Sequence, residues 1–206
     1  MLKRANPWAA SLAFVLVASF SLTAAAQEIV IFGDSTGKGD GAVTRWFDRM
    51  LEKLPAGPVI ENHSRSRFSI TAILKSMESP QTKSAQLVII YDRRNAGETV
   101  DAYLEHLHRI AETASPAKLL ILPQVPVSGG REDGLTLAVL QSINTRILAE
   151  FPDNTFDQAT QESFLSDLSG DDTRSDHIHR NDKGQEIEAE YIARWLSTHP
   201  LQVTSN

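Results

Sequence analysis

The sequence predicts an α/β protein, a three-layer α/β/α sandwich with a flavodoxin-like parallel sheet of about five strands. Three observations carry this. Leu87-Val88-Ile89-Ile90-Tyr91 is an unbroken apolar run, the pattern of a strand covered on both faces. Short apolar runs of this kind alternate along the chain with longer segments whose apolar residues recur at helical spacing. Finally, the glycine-rich, arginine-bearing and proline-rich stretches fall directly after the strand-like runs. Parallel sheets place their ligand sites at those carboxyl ends.

In chain order, residues 28–32 form the first expected strand, and residues 33–41 a turn rich in glycine. Residues 43–54 form a helix, because Val43, Trp46, Phe47, Met50, Leu51 and Leu54 share one face. Pro55-Ala56-Gly57-Pro58 ends it, and a second short strand starts at Val59-Ile60. Residues 62–69 are a polar loop, and residues 70–77 a short helix closed by Ser79-Pro80. The strand at 87–91 leads into a loop at 92–97 and an amphipathic helix at 100–113. A fourth strand occupies 118–122, followed by a loop at 123–134 and a helix at 135–151. A weak fifth strand is expected at Thr155-Phe156, then a long polar loop at 157–175. The last helix spans 182–198, with Ile187, Tyr191, Ile192 and Trp195 on one face.

The first 26 residues read as a signal peptide. Lys3 and Arg4 precede an apolar run at 12–22, and Ala24-Ala25-Ala26 offers a small-residue cleavage site before Gln27. A single domain at 27–206 remains, expected to be periplasmic or secreted and to have no stable membrane span once the signal is cleaved. Cleavage removes two basic and no acidic residues, so the net charge of −6 becomes −8. No Lys/Arg-rich run is present, which argues against nucleic acid as a partner. Cysteine is absent, which excludes disulfides, thiolate metal sites and a cysteine nucleophile.

Two stretches carry chemistry. Ile29-Val30-Ile31-Phe32 runs into Gly33-Asp34-Ser35, which places a hydroxyl at the tip of a strand. Residues 33–41 fail the spacing of both a phosphate-binding loop and a dinucleotide fingerprint, leaving a nucleophile or a helix-capping serine as readings of Ser35. Near the other end, Asp176 and His179 are three residues apart, so a carboxylate can face an imidazole within one turn. The alternatives are a cap or ion-pair role for Asp176 and a solvated loop position for His179. A metal site built from His177, His179, Asp171 and Asp172 is the weaker reading, since no third ligand is well spaced.

On these motifs the chain resembles the SGNH hydrolases, also called the GDSL esterase/lipase family. Their first block is matched by residues 29–35, with Thr36 in place of the usual Leu, and their last block by Asp176 to His179 followed by Asn181-Asp182-Lys183-Gly184. Their third block, an apolar strand before Gly-x-Asn-Asp, is matched by Asp92-Arg93-Arg94-Asn95-Ala96, with Arg93 for the glycine and Ala96 for the aspartate. Their second block normally supplies a glycine N–H, whereas Asn62-His63-Ser64-Arg65-Ser66-Arg67 has no glycine. The resemblance spans all 180 residues from 27 to 206. It implies a carboxylic ester hydrolase with Ser35, His179 and Asp176 as triad, and Ser35 and Asn95 as oxyanion-hole donors; in place of the missing glycine, the backbone N–H of Arg67 or Ser66 can still donate. No metal or organic cofactor is implied. The substrate is expected to be a small-molecule or glycan ester. Alternatives are a glycan O-acyltransferase on the same triad, and a weakened binding protein, since two glycines are replaced.

Arginines fall densely on the same loops. Arg65 and Arg67 follow the second strand, Arg93 and Arg94 the third, and Arg174 and Arg180 flank Asp176 and His179. They are expected to form an electropositive mouth, with Arg65, Arg93 and Arg94 touching an anionic substrate. The competing reading pairs them internally with Asp34, Asp92, Asp171 and Asp172.

Overall fold

The structure is a computed structural model that describes residues 28–55, 58–94, 98–127 and 136–201. The expected signal peptide, Asn95, and the distal part of the loop after the fourth strand lie outside the described residues. Four parallel strands form the sheet: β1 (Glu28–Gly33), β2 (Val59–Asn62), β3 (Leu87–Tyr91) and β4 (Lys118–Ile121). Their spatial order is β2-β1-β3-β4. The chain thus winds one way from β1 to β2 and the other way from β3 onward. The carboxyl ends of β1 and β3 therefore flank the point where a ligand site belongs.

Alternation along each strand divides the core in two. Val30, Phe32, Val88, Ile90, Leu119 and Ile121 face one side, where α3 (Ile70–Ser76), α5 (Val100–Ala114) and α6 (Leu137–Glu150) pack. Ile29, Ile31, Leu87, Ile89, Tyr91 and Leu120 face the other, against α2 (Trp46–Lys53), α7 (Gln158–Asp167) and α8 (Asp182–Thr198). Each fully buried aliphatic side chain contributes about 1.5–3 kcal/mol. An Ile89→Asp change would put an unpaired charge at the centre of that layer. Among the described residues no helix is long and apolar enough to cross a membrane.

Three expectations are corrected. The fifth strand does not form. Instead the Ile121 N–H donates to Asn154 O (2.7 Å), the Thr155 hydroxyl to Ile121 O (2.8 Å) and the Asn154 amide to Leu119 O (3.1 Å). One backbone bond and two side-chain donors thus satisfy the β4 edge in place of a continuous ladder. The 157–175 loop contains α7, capped by Asp157 accepting the Thr160 N–H at 2.8 Å, and a 3₁₀ turn at Asp171–Thr173. Phe164 and Leu168, four residues apart, bury its inner face. Finally, α2 begins at Trp46. Val43 is 94% exposed, and the N–H groups of Val43 and Thr44 donate to the Asp182 carboxylate.

Candidate active site

Ser35 opens a single helical turn, α1 (Ser35–Lys38), at the end of β1. It is not the N-cap. Asp34 takes that place, its carboxylate accepting the Thr36 N–H at 2.7 Å. The turn is so tight against β3 that a Cβ on Gly33 would lie 2.0 Å from Tyr91 O, and one on Gly37 2.6 Å from the same atom. Glycine is therefore demanded at Gly33 by the close approach of β1 and β3, and at Gly37 by that of the turn to β3. Burial lifts the Asp34 carboxyl above its ordinary range, opposed by the Thr36 N–H and by Arg93 and His179 nearby.

Residues 174–181 form a small hairpin that carries the acid and the imidazole. Arg174 and Arg180 make an isolated antiparallel bridge, and the Ser175 N–H donates to His179 O at 3.0 Å. Within it, Asp176 Oδ1 accepts the N–H groups of Ile178 and His179, both at 2.7 Å. Asp176 Oδ2 lies 2.8 Å from His179 Nδ1. A carboxylate accepts only, so Nδ1 carries a proton, and in the neutral ring the lone pair is on Nε2. Partial burial would raise the Asp176 carboxyl, but the His179 ring and the two backbone N–H groups outweigh it and hold it down to about 2.

The two stretches meet at Gly41. With φ at +102° it sits where a Cβ would lie 2.5 Å from Ser175 Oγ, 2.6 Å from His179 Cβ and 2.7 Å from Arg180 O. The backbone leaving the Ser35 turn is thus pressed directly onto the hairpin of His179. Among the described residues the Ser35 hydroxyl makes no hydrogen bond, and catalytic hydrogen bonds commonly tighten only once substrate is bound.

The loop after β2 closes the other side. The Asn62 amide donates to Gly37 O at 3.0 Å, and Ser66 Oγ to Asp40 at 2.6 Å. Residues 65–68 form a β-turn closed by the Phe68 N–H to Arg65 O at 3.0 Å, with Arg67 at its third position and φ at +70°. Arg67 thus adopts the conformation glycine prefers, and its N–H has no acceptor among the described residues.

The arginines divide. Arg174 and Arg180 turn inward: Arg174 Nη2 donates to Pro126 O (2.7 Å) and Leu168 O (3.2 Å), and Arg180 Nη1 to Leu168 O (3.0 Å). Arg180 also pairs with buried Glu188 at 3.6 Å, and the Tyr91 hydroxyl donates to that carboxylate. Burial pushes Glu188 up to about 7, against the pull of Arg180, Tyr91 and Arg174. Arg94 is buried, its N–H bonded to Gln124 Oε1 at 2.8 Å, so it does not reach a mouth. Arg93 lines a cavity with Thr36, Val125, Val127, Ile178 and Arg180, among them the chain neighbours of Ser35 and His179. Arg65 and Arg67 are exposed. The internal partners of Arg174 and Arg180 are thus carbonyls and Glu188, not the four aspartates of the competing reading. Sequence reading missed Gln124, Gln185 and Glu188, buried polar residues whose partners lie far along the chain. No group of histidines and acids able to hold a metal occurs among the described residues.

No family model matches the chain, and no curated protein matches it. Solved structures do. A lipase/acylhydrolase from Enterococcus faecalis superimposes with a TM-score of 0.70 at 16% identity, covering 87% of this chain and 100% of that one. A member of the lipolytic G-D-S-L family from Veillonella parvula gives 0.62 at 16% identity, covering 82% and 97%. The acetylxylan esterase Axe2 of Geobacillus stearothermophilus gives 0.65 at 16% identity, covering 82% and 94%. The chain therefore has the fold of the SGNH hydrolases, one shared by esterases and lipases.

Proposed function

We propose that this chain is an exported SGNH-family serine hydrolase that cleaves carboxylic esters through an acyl-enzyme on Ser35. The observation that carries the reading is the 2.8 Å contact between Asp176 and His179 Nδ1, on a hairpin packed against the turn that follows Ser35. In the first step Ser35 Oγ bonds to the ester carbon and its proton passes to His179 Nε2. The imidazolium that forms is stabilised by Asp176. The intermediate collapses, the C–O bond to the alcohol breaks, and Nε2 returns the proton to the leaving oxygen. Water then repeats the sequence and frees the acid. The Ser35 and Arg67 N–H groups and the Asn95 side chain are assigned to the developing oxyanion.

The substrate proposed is a small-molecule or glycan ester bearing a negative charge. In support, Arg65, Arg67 and Arg93 have no carboxylate within ion-pair distance among the described residues, and they belong to loops at the Ser35 edge. The test is turnover of p-nitrophenyl acetate together with labelling by a fluorophosphonate probe. Ser35→Ala and His179→Ala should each lose most of the turnover, because nucleophile and base act as one unit. Full activity in purified Ser35→Ala would reject the assignment. Absence of both turnover and probe labelling in the unaltered protein would favour a binding role.

A further inference from the structure

Beyond the triad, one buried amide touches both halves of the site. Gln185 is on the second turn of α8 and is 1% exposed. Its Oε1 accepts the Trp46 N–H at 2.7 Å, the first N–H of α2. This fixes which end of the amide is oxygen. Its Nε2 then donates to Gly39 O at 2.9 Å, with Asp40 O at 3.3 Å and Arg180 O at 3.4 Å also in reach. Gly39 and Asp40 end the turn that Ser35 begins: the Asp40 N–H bonds Ser35 O at 3.0 Å, and the Gly39 N–H bonds Thr36 O at 3.0 Å. Arg180 immediately follows His179.

We propose that Gln185 is a positioning residue that sets the separation between Ser35 and His179. One side chain holds the carbonyls leaving the nucleophile turn and the carbonyl leaving the histidine hairpin, and it does so from a helix. Its neighbours leave it little play. Gly41 backs onto His179 Cβ, and a Cβ on Gly39 would already lie 3.1 Å from Gln185 Oε1. The amide is suited to this task because it presents an acceptor and two donors with no charge to desolvate. Glutamate keeps the acceptor for Trp46 but loses the donors. Leucine loses both and leaves buried carbonyls unpaired.

The inference rests on the Ser35–His179 reading, and the experiment separates the two. Gln185→Leu and Gln185→Glu are made in the full chain, each also combined with His179→Ala. Thermal unfolding confirms that each variant is folded, and kcat and KM are measured for p-nitrophenyl acetate well below each midpoint. A displacement of the reacting pair by about 1 Å should lower kcat on the order of 10²-fold, with KM changed by less than about 2-fold. With His179 already removed, the same substitution should change the residual rate by less than about 2-fold, since the geometry it sets no longer matters. If Gln185→Leu fails to fold, Gln185→Glu alone carries the comparison. A folded variant with unaltered kcat overturns the proposal, and so does an equal loss in both backgrounds, which marks general loosening. Undiminished turnover in His179→Ala removes the Ser35–His179 reading itself, and this inference with it.

Discussion

Arg67 stands where a turn asks for glycine, and replacing it tests whether its backbone or its side chain matters. Its φ of +70° places an L-residue in the left-handed region, at a strain of roughly 1–2 kcal/mol. Glycine relieves that strain but loses more chain entropy on folding, about 0.4–1 kcal/mol. The side chain is exposed and makes no hydrogen bond or ion pair among the described residues, so its removal costs little. Arg67→Gly should therefore stabilise the fold by roughly 0.5–1 kcal/mol, and raise Tm by about 1–4 °C for a chain of this size. Arg67→Ala should leave stability nearly unchanged, and Arg67→Val should lower it, since a β-branched residue suits this region least. The assay is thermal and urea unfolding of the four proteins at one pH. A gain in Arg67→Ala equal to that in Arg67→Gly would show that the side chain, not the backbone, is the source. A loss in Arg67→Gly would refute the strain itself. If the Arg67 N–H also serves the oxyanion, kcat should survive in Arg67→Gly, because the donor is retained.

Gly33→Ala should destabilise by about 3 kcal/mol or more, because its Cβ would meet the Tyr91 carbonyl at 2.0 Å and part β1 from β3; a urea midpoint within error of the unaltered protein would contradict the close approach. Glu188, pushed up to about 7 by burial, retains its proton when folded over a range where the unfolded chain has released it. Its contribution makes stability fall as pH rises from the ordinary glutamate range to about 7, by at most about 1.4 kcal/mol per pH unit. Urea unfolding across that range should show the decline, and Glu188→Gln should make it shallower. Salt should lower kcat/KM for an anionic ester more than for a neutral ester of matched size, and equal responses would leave Arg65, Arg67 and Arg93 without a role in recognising the anion.

Local pattern made much of this fold legible. The last helix begins at Asp182 and ends at Thr198 as its apolar spacing predicts, and Asn181 caps it through the Gly184 N–H at 3.1 Å. The parallel sheet followed from runs such as 87–91, whose residues are buried on both faces. The element at 158–167 was hidden by its polar composition, although Asp157 at the cap and Phe164 four residues before Leu168 were visible signals. Val43 was assigned to a helix on periodicity alone; the Asp182 carboxylate, 139 residues away, takes its N–H instead. At the site, the spacing of Asp176 and His179 was sufficient because their contact is local. Gln185 was not legible because the partners that tie it to the Ser35 turn and α2 lie 146 and 139 residues distant, a separation no local pattern records.

The arginines show where sequence placement stops short of direction. All six fall on segments at one end of the sheet, yet a guanidinium acts on a substrate only if it faces solvent there. Arg174 and Arg180 are paired across the base of the hairpin and buried, and the buried Glu188 meets both Arg180 and Tyr91 of β3. Burial, with Arg180 alongside, pulls Arg174 down to about 10, the mark of a cation held inside rather than at an entrance. Arg174 Nη2 and Arg180 Nη1 donate to the carbonyls of Leu168 and Pro126, so they join the histidine hairpin to the end of α7 and the loop after β4. The charge density that suggested an anion-binding mouth thus has two separate physical causes. One is the need to satisfy buried carbonyls under an irregular hairpin, which arginine's fixed fork of donors meets without a helix or strand. The other is the exposed set of Arg65 and Arg67, with Arg93 at the cavity wall. Three cations against a net charge of −8 for residues 27–206 give a field confined to that edge. Discrimination for an anionic ester would then arise at contact, within about 8–10 Å of the loops at physiological salt, rather than by long-range steering.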